Sequence, residues 1–172
     1  MGYYASAYSI CLADVAGLDL VTSRLLVDEA LRDFLADEDV NLEVEEVVLK
    51  AIFGLEAPPA GHTYSLIKSF RWLGETCGTR IPSRVEMPAI WKLEIETSFG
   101  ENPPPFGFVE PDESVSYMTY AQMLRERVAL DGCEMDVACY DFPEEMARLR
   151  SEFLSWLDYC LERKSDLLSI EC

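Results

Sequence analysis

The sequence predicts an α+β fold: a mostly helical single domain spanning residues 1–172, with a small sheet formed by the N-terminal and C-terminal strands. Three observations lead there. Residues 3–12 are rich in aromatic and β-branched side chains and alternate without a polar face, as a central strand does. Residues 142–172 carry Met146, Leu149, Phe153, Trp156, Leu157, Cys160 and Leu161 at spacings of three and four, the stripe of an amphipathic helix. After a polar break at Lys164, Ser165 and Asp166, Leu167, Leu168 and Ile170 supply a short apolar strand at the other end of the chain.

Between these ends the pattern is largely helical. Asp14 is placed to cap a short turn that Gly17 breaks. A helix is expected from Thr22 or Ser23, with Leu25, Leu26, Ala30, Leu31, Phe34 and Leu35 inward, ending in the acidic run from Asp37 to Asp39. A second runs from about Glu43 to Phe53, with Val44, Val47, Val48, Ala51 and Ile52 inward, and Gly54 ends it. Glu43, Glu45 and Glu46 suit the positive end of its dipole. A proline-rich loop follows, then a third helix from about Thr63, with Tyr64, Ile67, Leu73 and either Phe70 or Arg71 inward.

Residues 86–99 support two readings. Ser83 and Glu86 form a capping box that announces a helix, whereas Trp91, Leu93, Ile95 and Thr97 alternate as in a strand. A helix start giving way to extended chain reconciles them. A proline-containing loop brings Phe106 and Phe108, residues 114–118 read as a short extended piece, and Thr119 with Gln122 forms a second capping box before a helix carrying Met123, Leu124, Val128 and Leu130.

The totals set the function class. The chain has 32 Asp and Glu against 14 Lys and Arg, a formal net charge of -18. That balance repels phosphate backbones and anionic membranes, so nucleic acid and membrane are not expected as partners, and it steers a basic protein toward the surface. The expected compartment is the cytoplasm. The start has no signal-peptide pattern, no apolar run reaches a membrane span, and the six cysteines then read as reduced thiols.

No motif carries chemistry. His62 is the one histidine, so any Cys/His or Ser/His mechanism must pass through it, and a loop histidine is more often solvated. Cys133 and Cys139 lack a second pair at zinc-site spacing, and Asp131, Glu134 and Asp136 lack the alternation and closing Gly and Glu of a calcium loop. Phosphate-binding loops and the nucleophile elbow are absent. No catalytic, cofactor-binding or metal-ligating residue is therefore nominated, and whether His62 or a carboxylate pair acts stays open. Charge is also uneven: residues 28–56 are acidic, whereas Lys68, Arg71, Arg80 and Arg84 make the next segment basic. This is either an ordinary salt-bridged surface or the two halves of a homodimer contact.

The opening residues 3–14, the loop Gly107-Phe108-Val109, the segment from Tyr117 to Tyr120, and the closing stretch from Phe153–Trp156 to Asp166–Ile170 resemble a family of small bacterial proteins with a domain of unknown function. The resemblance covers about a third of the chain. It implies a bacterial cytoplasmic origin and an α+β fold, and brings no activity with it.

The function expected is that of a non-enzymatic protein-binding domain, of the immunity or antitoxin kind, neutralising a basic partner. The alternatives are a small hydrolase-like enzyme using paired carboxylates, and a nucleic-acid mimic whose carboxylates imitate phosphates. No cofactor is expected, and the oligomeric state is open, a homodimer included.

Overall fold

The computed structural model describes residues 5–37, 39–58, 66–83, 105–108, 115–132 and 143–171. The elements follow in the order β1 (Ala5–Ile10), α1 (Leu12–Ala16), α2 (Leu20–Phe34), α3 (Leu42–Ile52), α4 (Ile67–Cys77), β2 (Thr79–Arg80), β3 (Val115–Met118), α5 (Tyr120–Gly132), α6 (Pro143–Arg163) and β4 (Asp166–Glu171). The fold is α+β, with a four-stranded antiparallel sheet in the order β2-β1-β4-β3. The terminal strands are its two central members, paired from Ala5 opposite Glu171 to Ile10 opposite Asp166. Both can be central because neither has a polar face to keep wet.

The register sorts the strands into two unlike faces. Tyr8, Ile10, Val115, Leu168 and Ile170 point into one core, closed by α1, α2, α3 and α4 together with Phe108. Ala7, Met118 and Leu167 point into the other, closed by α5 and α6. On that second face Ala7, Ser169 and Ser116 stand in register across three strands. These side chains are small, so α6 supplies the bulk: Phe153, Trp156, Leu157 and Cys160 are fully buried against them. Leu149, Phe153, Trp156, Leu157 and Cys160 of the expected stripe are therefore the buried face of α6, with Leu161 partly buried, and the expected closing strand is β4.

One residue ties the two faces together. Asp166, at the start of β4, accepts from the backbone N–H of Leu12 (3.1 Å) and of Tyr120 (2.8 Å). These are the first residues of α1 and α5, so a single carboxylate caps helices from opposite layers. Asp14, expected as a cap, lies inside α1, whose N-cap is Cys11. Thr119 and Gln122 form the expected box: the Gln122 side chain accepts from Thr119 N at 2.8 Å, and Gln122 N reaches Thr119 Oγ1 at 3.4 Å.

α2 starts at Leu20, earlier than its apolar spacing suggests. The reason is Asp19, whose Oδ1 accepts from Val21 N and Thr22 N at 2.9 and 3.0 Å. Its inward face also differs from the expected one. Ser23, Val27 and Ala30 are buried, Leu26, Leu31 and Phe34 are partly so, and Leu25 and Leu35 face solvent. α3 is capped by Asn41, and Gly54 beyond it takes φ +68°, the left-handed conformation that glycine adopts without strain. α4 lies so close to β1 that a Cβ on Gly74 would stand 2.7 Å from the Tyr8 ring. Residues 84–104, and with them the choice between helix and strand at 86–99, lie outside the described residues.

Candidate functional site

The acidic segment folds into the second half of α2, the connection after it and α3, and α2 packs against α3. Two lysines are paired with its carboxylates. Lys50 Nζ sits 2.9 Å from Glu46 and 3.1 Å from Glu56, and these two carboxylates hold the Lys50 pKa above its ordinary value. Lys68, from α4, reaches Asp37 at 2.6 Å and lowers the Asp37 pKa. The basic segment thus meets the acidic one within the same chain at this point, the ordinary surface pairing of the two readings. Asp28, Glu29, Asp39 and Glu43 are exposed and have no cationic partner among the described residues.

Two acids that sequence pattern assigns to polar faces are buried. Glu45 is 5% exposed and accepts from Ser69 Oγ at 2.5 Å. Burial raises its pKa, with the Ser69 hydrogen bond and the Lys68 charge opposing. Glu152, 3% exposed, accepts from Trp156 Nε1 at 3.3 Å. Each meets its donor inside the fold, so both are structural members of the core rather than groups presented to a ligand. Trp72 Nε1 likewise finds Asp33, at 2.9 Å. On the other side of the molecule Arg127 is held by Asp131 and by Asp158 (2.7 Å), which raise its pKa.

The thiols in view are Cys11, Cys77 and Cys160, none in a disulfide. Cys160 is fully buried beside Ser9 and Ser165, whose hydroxyls lie 2.5 Å apart, and burial pushes its pKa up to about 11. That is the opposite of a nucleophile's environment. His62, Cys133 and Cys139 lie outside the described residues, as do Glu134 and Asp136. Among the described residues no group of three or more His, Cys, Asp and Glu is placed to hold a metal ion, and no helix is long and apolar enough to cross a membrane.

α2 and α3 also bound an open cleft of about 390 Å³, with Leu20, Val27 and Leu55 on its apolar side and Arg24, Asp28, Glu46, Lys50 and Glu56 as its polar lining. With Asp28, which has no cationic partner among the described residues, in its lining, this cleft is the candidate site. The sequence marks the region by its charge. It hides the cleft, because a space between two helices depends on how they pack rather than on the spacing along either one. No family model, curated protein or solved structure matches the chain.

Proposed function

We propose that the protein is a non-enzymatic binding domain that captures a basic protein, in the manner of an immunity or antitoxin protein. One observation carries the reading: in a chain of net charge -18, Asp28, Glu29, Asp39 and Glu43 are exposed on α2, α3 and their connecting turn with no cationic partner among the described residues. A field of that sign speeds the encounter with a cationic partner and rejects acidic ones. Two of the three acids lining the α2–α3 cleft, Glu46 and Glu56, are engaged by Lys50, which favours this over carboxylate catalysis. We place the protein in the bacterial cytoplasm, among the small bacterial proteins that its ends resemble. The free thiols of Cys11, Cys77 and Cys160 suit a reducing compartment.

Immobilised protein exposed to lysate at low and at physiological salt tests the proposal, with captured proteins identified by mass spectrometry. A basic protein retained at low salt and released in part at the higher salt is the expected outcome. Absence of any salt-sensitive basic partner in both conditions refutes it.

A further inference from the structure

Three large apolar side chains of α2 stand in solvent, Leu20 at 64% exposure, Val21 at 69% and Leu25 at 60%, and Leu35, just past the helix end, is exposed as well. One exposed leucine is ordinary; Val21 and Leu25 together on the outward side of α2, with Leu20 exposed where it lines the cleft, mark a contact surface. Val21 and Leu25 are one turn apart, and Leu20 continues the row into the α2–α3 cleft. Hydrophobicity does not orient them inward because the buried side of α2 is already filled by Ser23, Val27 and Ala30, with Leu26, Leu31 and Phe34 packed beside them.

We propose that this outward row of α2, together with its cleft against α3, docks a basic amphipathic segment of a partner protein. The inference rests on the reading of the protein as a binder of basic partners, and adds where and in what form the partner binds. Charge chooses the occupant. Asp19, Asp28 and Glu29 are exposed on α2 or at its cap, and Asp28, Glu46 and Glu56 line the cleft with Arg24 and Lys50, so acids outnumber cations there. Arg24 and Arg32 are the row's own cations, and Arg32 is turned back onto the Asp28 carbonyl at 3.1 Å. An apolar stripe flanked by Lys and Arg therefore covers the leucines and meets the surplus carboxylates. A second copy of the chain would instead bring two acidic rims together across a two-fold axis.

The test uses a labelled synthetic helix-forming peptide of Leu and Lys at amphipathic spacing, and its counterpart with Glu in place of Lys. Binding is measured by anisotropy, and its site by amide shifts of the isotope-labelled protein. The variant Val21→Ser/Leu25→Ser removes the row without altering charge, at positions already exposed. Expected are binding of the Lys peptide, shifts concentrated on α2 and α3, at least tenfold weaker binding by the double variant, and no binding of the Glu peptide. Shifts elsewhere in the wild-type protein, or equal binding by the variant, overturn the surface while leaving the capture of a basic partner standing. Failure to bind the Lys peptide, or equal binding of the Glu peptide, overturns the occupant. A dimer seen by light scattering and lost in the double variant assigns the row to a second copy and overturns the proposal too. Capture from lysate is decided separately, so failure of the surface and failure of the function remain distinct.

Discussion

Asp166 gives the sharpest stability test, because one side chain holds two layers. Its carboxylate accepts from Leu12 N at 3.1 Å and Tyr120 N at 2.8 Å, the first residues of α1 and α5. Replacing Asp166 by Ala leaves both N–H groups without this acceptor and removes a negative charge from two helix N-termini. Losing one such cap costs about 0.5–2 kcal/mol, and hydrogen bonds to a charged group contribute about 1.5–3 kcal/mol each. Because water can replace part of each bond at this half-buried site, the expected loss for Asp166→Ala is about 2–4 kcal/mol. For a domain of this size that lowers the melting midpoint by roughly 4–16 °C. Asp166→Asn keeps an acceptor oxygen but loses the charge, so it should fall between wild type and Ala. The assay is urea unfolding of the three proteins followed by circular dichroism, with the slope on denaturant compared. An Ala variant within about 0.5 kcal/mol of wild type, the range of an ordinary surface substitution, would refute the double cap.

Three further substitutions probe the packing. Gly74→Ala places a Cβ 2.7 Å from the Tyr8 ring, and should cost about 1–3 kcal/mol as α4 is forced from β1; unchanged urea stability contradicts that close approach. Trp156→Ala removes a fully buried ring from the second core and should cost about 3–5 kcal/mol, so an unchanged melting curve would remove Trp156 from the core. Glu45→Gln tests the buried acid. Its folded-state pKa is raised by burial, so the folded protein holds this proton more tightly than the unfolded chain. The stability this gives is full below the unfolded carboxylate range and is lost as pH rises through the folded value. The Gln variant should therefore gain on wild type as pH rises from the acid side of the carboxylate range toward neutrality when melting points are compared, and a drift the other way refutes the assignment.

The ends of the chain were legible because they state their burial locally. Residues 5–10 and 166–171 are short and lack a polar face, and α6 carries its stripe at helical spacing, so strand, helix and their burial follow without knowledge of partners. α2 was harder. It offers apolar residues on both sides, and spacing alone cannot say that Val27 and Ala30 go in while Leu25 and Leu35 stay out; that choice belongs to α3 and the sheet. Asp166 could be seen only as a polar break, since its donors lie 154 and 46 residues away. Glu45 reads as a first-turn helix acid until Ser69, 24 residues on, supplies its donor. Glu152 did leave a local sign: Trp156 lies one turn ahead, and a buried indole N–H needs an acceptor. At the candidate site, charge was visible and shape was not, because a cleft between two helices is a property of their packing.

The most direct test of capture by charge is the association rate of the purified protein with the basic protein it retains, measured by stopped flow from low to physiological ionic strength. Steering by the -18 charge predicts an association rate that falls by about tenfold or more over that range while the dissociation rate changes little. An association rate indifferent to salt would contradict it.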